Sequence, residues 1–118
     1  MEAIILTVLA ASSFSLVAAS DAPKLQELVF PKTTALGESV SVSCAASKGT
    51  RPMTFAWLKD GVPVVSSARV ITSSVADNVA LLVINKLAAL DVGNYSCVAR
   101  NARGEDRVTA TLTVKGNR

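Results

Sequence analysis

The sequence predicts an all-β fold, a two-sheet Greek-key sandwich held by one inter-sheet disulfide. Two observations carry this. Past residue 20 the chain breaks into short runs in which apolar and polar residues alternate, separated by turn residues and without helical periodicity. Two of those runs each contribute a cysteine, Cys44 and Cys97, with Trp57 between them. At 118 residues the chain has room for one ordinary domain, and its apolar half suffices for a single core. No low-complexity run, linker or block of like charge suggests disorder.

The domain is expected over residues 21–118, preceded by a signal peptide over residues 1–20. Ala3 to Ala11 is an apolar stretch of signal-sequence length, and Ala18-Ala19-Ser20 sets small side chains where a signal peptidase reads. Ser12, Ser13 and Ser15 interrupt a run already short of the roughly 20 apolar residues a membrane span needs. Glu2 departs from the usual basic start, and its removal would raise the net charge of +3 by one. A secretory route places the chain outside the cell, secreted or at the surface, where a disulfide persists. Bridging Cys44 and Cys97 closes a long loop and contributes roughly 4 kcal/mol in the chain-entropy model.

The elements follow in order. Ser39 to Cys44 alternates small polar with apolar side chains, a strand with one wet and one buried face. Met53 to Trp57 alternates again, with Phe55 and Trp57 on one side. Lys59-Asp60-Gly61 is a turn in which Gly61 supplies positive φ. Val62 to Val65 contains Pro63, which fits a short edge strand. Arg69 to Ser73 and the apolar Val79 to Ile84 are further strands. Asn94 to Arg100 sets Tyr95, Cys97 and Ala99 on one face. Asn101-Ala102-Arg103-Gly104 is a hairpin turn, and Arg107 to Val114 points Val108, Ala110, Leu112 and Val114 inward.

The joint spacing narrows the family. Cys44, Trp57 and Tyr95-Ser96-Cys97 form a Cys…Trp…Cys framework with a tyrosine two residues before the second cysteine. Around it stand Gly37-x-x-Val40-x-Val42-x-Cys44, Leu82-x-Ile84-x-x-Leu87 and Asp91-x-Gly93-x-Tyr95-x-Cys97. Together these resemble the I-set branch of the immunoglobulin superfamily and cover nearly all of the expected domain. Tyr95 is expected to bury its ring and return its hydroxyl to backbone, and Trp57 to shield the disulfide. Gly93 is expected to permit the corner's backbone conformation, and Asp91 to pair with Arg69.

Leu28-Val29-Phe30-Pro31, Gly49-x-x-Pro52-x-x-Phe55-x-Trp57, Lys59-Asp60-Gly61-x-Pro63 and Ala99-x-Asn101 also look like the isoform-variable domains of arthropod Dscam-type receptors. A signal peptide leading directly into such a domain looks most like the first domain of the shortened Dscam receptors of chelicerates. That resemblance implies homophilic recognition between cells, with further immunoglobulin or fibronectin domains of the same receptor as neighbours.

Three surface features are singled out. Counting back from Cys97, Leu82 and Ile84 point inward, so Val79, Leu81 and Val83 point outward from the A-B-E-D sheet. Their expected neighbours are Ser41, Ser43 and Ile71, an apolar stripe on a sparsely charged face that two copies could bury as an isologous homodimer. Arg100, Arg103 and Arg107 gather at the F–G hairpin, an anion-binding rim or, on their modest excess of charge, a solvated basic edge. Asn94-Tyr95-Ser96 is an N-glycosylation sequon with Asn94 outward.

Catalysis is not expected. With no histidine there is no Ser-His-Asp or Cys-His arrangement, and both cysteines are committed to the bridge. Two thiols alone do not hold a metal, no glycine-rich loop cradles a phosphate, and no cofactor is expected. Nucleic acid is disfavoured because no aromatic residues interleave with the arginines. Two functional classes remain: homophilic adhesion through the A-B-E-D face, or a heterophilic or soluble immune receptor binding through its loops or C-F-G face.

Overall fold

The computed structural model describes residues 21–116; the expected signal peptide at residues 1–20 lies outside them. Eight strands run in the order β1 (Lys24–Leu25), β2 (Val40–Lys48), β3 (Thr54–Lys59), β4 (Val62–Pro63), β5 (Val70–Ala76), β6 (Val79–Ile84), β7 (Gly93–Asn101) and β8 (Gly104–Leu112). They form two four-stranded antiparallel sheets, ordered β1-β2-β6-β5 and β4-β3-β7-β8. In immunoglobulin lettering the first is A-B-E-D and the second C′-C-F-G.

Alternation decides which side of each strand is buried. In β6 the pattern is strict, with Ala80, Leu82 and Ile84 buried and Val79, Leu81 and Val83 half-buried. In β2, Val40, Val42, Cys44 and Ala46 face in while Ser41 and Ser43 are exposed. Leu82, Ile84 and Leu112 are almost fully enclosed, and Cys44 and Cys97 join as the expected inter-sheet disulfide across a loop of 53 residues. Trp57 lies directly opposite Cys97 in the β3–β7 ladder, and its indole Nε1 has no hydrogen-bond partner among the described residues.

The turns follow their residues. Asp60 and Gly61 both take positive φ, at 49° and 83°, as a two-residue hairpin between Lys59 and Val62 requires. Pro63 closes β4 after two residues, shorter than the Val62–Val65 expected, because it cannot donate to a ladder. The strand expected at Arg69–Ser73 begins one residue later and continues to Ala76 through a bulge between Ser74 and Ala76.

The amino-terminal segment changes sheets, which the alternation did not reveal. Leu25 pairs with Ala46 of the first sheet, whereas Ala35 bridges Lys115 in parallel beyond the end of β8. Between them Leu28 and Phe30 are buried, and the Phe30 ring packs edge-on against Tyr95 at 5.5 Å. Two side chains fasten the crossing: Asp106 Oδ2 accepts from the Leu25 N–H at 2.8 Å, and Thr34 Oγ1 donates to the Thr113 carbonyl at 2.7 Å.

Candidate functional site

The outer face of the first sheet is built by register. Ser41, Val83 and Ile71 form one row across β2, β6 and β5, and Ser43, Leu81 and Ser73 form the next. Ala45, Val79 and Ala76 form the third, at the bulge. Thus the structure brings Ser41, Ser43, Ile71, Val79, Leu81 and Val83 onto one face. It adds Ala45, Ser73 and Ala76, of which Ala45 and Ser73 were readable as the next outward position on each strand. No paired position in these rows carries a charge. The short side chains of β2 leave the stripe of β6 accessible, and Ile71 at its flank is 40% exposed.

The opposite face differs. Arg100 and Arg107 do point outward from β7 and β8, but Arg100 faces Glu105 in the ladder and its Nε donates to Glu105 Oε1 at 2.8 Å. Arg107 stands opposite Val98, and Arg103 lies in the turn, its backbone N–H held by Asn101 Oδ1 at 2.8 Å. Arg100 is thus already paired with a carboxylate, and it lines one depression at the hairpin with Arg103 and Glu105, in which Arg107 takes no part.

Asn101 does more than its place in the hairpin turn suggested. Its Nδ2 donates to the carbonyls of Asp21 at 2.7 Å and Thr50 at 3.0 Å, while Oδ1 accepts from Arg103 and Gly104. One amide ties the start of the domain, the β2–β3 loop and the β7–β8 hairpin into a single pole. Its signals in the sequence were its place at the head of a hairpin turn and in the Ala99-x-Asn101 run, neither of which points to these partners.

The E–F corner holds the remaining signature residues. A short 3-10 helix, Ala89–Asp91, leads into β7. Asp91 is buried, accepts from the Ala88 N–H at 2.8 Å, and is clamped by Arg69 through Nη1 at 2.6 Å and Nη2 at 3.0 Å. Burial pushes the Asp91 pKa upward, but the Arg69 pair and the Ala88 N–H outweigh it and hold the carboxyl below its ordinary range. Tyr95 donates its hydroxyl to the Asp91 carbonyl at 2.6 Å, and burial followed by the nearby carboxylates pushes its pKa up to about 12.

The reason expected for Gly93 needs correction. Its φ is not in the left-handed region; instead a Cβ there would stand 2.7 Å from Asp60 Oδ2. Any larger residue at Gly93 would push aside the exposed Asp60 carboxylate, which accepts from the Asn94 N–H at 2.9 Å. Asn94 itself is exposed at the start of β7, on its outer side.

Among the described residues no three His, Cys, Asp or Glu side chains converge, and no helix is long and apolar enough to cross a membrane. The Cys44–Cys97 bridge, the opposed Trp57 and the Tyr95 corner stand together in one two-sheet frame, and the immunoglobulin I-set domain model matches residues 23–114. The chain belongs to the immunoglobulin I-set family. Among curated proteins, this I-set domain is 33% identical over 93 residues to the cell adhesion molecule Dscam2 of Drosophila melanogaster, covering 79% of this chain and 4% of that one. It is also 33% identical over 94 residues to the muscle M-line assembly protein unc-89 of Caenorhabditis elegans, covering 80% of this chain and 1% of that one. The chain therefore spans only a few hundredths of the length of these relatives. Among solved structures, the Dscam1 Ig7 domain, isoform 9, superposes with a TM-score of 0.73 at 26% identity, over 78% of this chain and 98% of that one. I-set domains of this kind are binding and structural modules, not enzymes, so the function lies on a surface.

Proposed function

We propose that this domain is an extracellular recognition module for homophilic cell adhesion, in which the outer A-B-E-D face meets the same face of a second copy on another cell. The observation that carries the reading is the uncharged set of three rows centred on Leu81, with Ser43 and Ser73 on either side. A surface strand of a soluble sandwich ordinarily turns polar side chains outward, whereas β6 offers valine, leucine and valine. An isologous contact buries this stripe against itself without stranding a charge. The likeness to relatives named as cell adhesion molecules supports the reading. So does the disulfide, which persists in an oxidising compartment and distinguishes this context from the intracellular one in which thiols stay reduced.

The test is Leu81→Asp in the purified, disulfide-bonded chain. Sedimentation equilibrium should show a weak dimer for the parent and a monomer for the variant, with the same Tm because Leu81 is outside the core. A variant that dimerises like the parent, or a parent that stays monomeric at high concentration, overturns the reading in favour of a heterophilic receptor.

A further inference from the structure

We propose that Asn94 carries an N-linked glycan, and that this sugar shields the outer face of the second sheet so that recognition is left to the first. The inference rests on the extracellular reading above. In Asn94-Tyr95-Ser96 the middle residue is not proline, and none of Asn78, Asn85 and Asn101 has serine or threonine two positions on. Glycosylation would therefore be confined to one broad face of the sandwich over the described residues.

The local geometry suits the modification. Tyr95, Cys97 and Ala99 are buried in the core, so Asn94 projects from the other side of β7. Its N–H donates to Asp60 Oδ1 at 2.9 Å, its carbonyl accepts the Asp60 N–H at 2.8 Å, and its Oδ1 accepts the Thr111 hydroxyl at 2.6 Å. Nδ2, the atom that would bear the sugar, has no protein partner among the described residues. A glycan there breaks no hydrogen bond of the fold, and the Thr111 contact fixes the amide plane with Nδ2 turned away from it. The flanking side chains Asp60 and Thr111 are exposed and polar, and Asp60 borders a depression lined by the exposed Val62, Val65 and Leu90, apolar surface that the sugar stands beside and can shield.

The order of events follows from Ser96. Its hydroxyl is buried and bonded to Thr109 Oγ1 at 2.8 Å across the β7–β8 ladder, so the sequon is closed once the hairpin forms. Transfer must precede that closure, on the nascent chain. The Asn94 Nδ2 attacks C1 of a lipid-pyrophosphate-linked oligosaccharide; the N–C1 bond forms and the C1–O bond breaks. The lipid pyrophosphate leaves and the displaced amide proton passes to base.

The experiment expresses the full chain in animal cells and purifies the disulfide-bonded pool. The Leu87–Arg100 tryptic peptide is then treated with peptide-N-glycosidase in heavy-oxygen water. Conversion of Asn94 to labelled aspartate is expected; a peptide recovered wholly as unmodified asparagine overturns the glycan. A second arm compares self-association of glycosylated protein, enzymatically deglycosylated protein and Asn94→Gln. Unchanged Kd supports shielding of a face that takes no part in contact. A labelled peptide combined with a Kd altered tenfold or more by sugar removal overturns that face assignment while the glycan stands, so the two failures are distinguishable.

Discussion

The Tyr95 hydroxyl donates to the backbone carbonyl of Asp91 at 2.6 Å, four residues upstream, inside the corner where the chain passes from the first sheet to the second. The same Asp91 presents its carboxylate to Arg69, which lies just before β5 of the first sheet. One acidic residue therefore joins the edge of one sheet to the central strand of the other, through its backbone on one side and its side chain on the other.

Burial raises the Tyr95 pKa to about 12 from the ordinary 10.0, because the phenolate would lose both hydration and its donor role beside negative carboxylates. A folded-state pKa above the unfolded value means that the stabilisation is complete below pH 10 and is lost as pH rises through about 12. Its full size is about 3 kcal/mol. Tyr95 is the only tyrosine in the chain, so tyrosinate absorbance reports it without interference. The titration should have its midpoint near 12 in the native protein and near 10 in denaturant.

Replacing Arg69 by methionine should destabilise the domain by about 2–3 kcal/mol, less than a fully enclosed pair would lose, since the Arg69 side chain is 32% exposed. Asp91 has a folded pKa below its unfolded one, so its contribution is present above the unfolded carboxylate value and disappears as pH falls through the folded one. Without Arg69, burial raises the Asp91 pKa with the Ala88 N–H and the Lys59 charge left to oppose it. Acid unfolding followed by Trp57 fluorescence should therefore begin at higher pH in the variant than in the parent.

Gly93→Ala should lower the Tm because the new methyl group would displace the Asp60 carboxylate from the Asn94 N–H. In an Asp60→Ala background the same substitution has open space and should cost less. A double-mutant cycle measures this coupling; strict additivity would mean that Gly93 answers to backbone conformation instead.

How much of this was legible in the sequence depended on the range of the signal. The inward sides of β2, β6 and β7 could be counted from Cys44 and Cys97, since a period of two carries orientation along a strand without knowledge of its neighbours. The same counting brought Ser41, Ser43 and Leu81 to the outer face. The turn read at Asn101–Gly104 sets Glu105 opposite Arg100, but the counting could not show that their side chains pair. Nor could it show the close approach of Asp60 to Gly93, a contact between residues 33 positions apart that no local pattern encodes. The sheet-switching segment before β2 left no alternation to count, since Leu28 and Phe30 are buried where the chain runs as irregular backbone between Leu25 and Ala35.

Salt dependence separates the two broad faces as contact surfaces. Association through Val79, Leu81 and Val83 buries apolar groups and no charge pair, so its only long-range electrostatic component is repulsion between two copies of net positive charge. Screening that repulsion should leave Kd unchanged or tighten it as salt rises. Contact through the second sheet that set Arg107 against a carboxylate of the other copy would instead be an attraction that salt weakens. The two outcomes have opposite sign. Sedimentation equilibrium across a salt series, on the disulfide-bonded chain at constant pH, should therefore show a dimer that persists or strengthens at high salt. A dimer that dissociates as salt is added would move the contact to the arginine-bearing face.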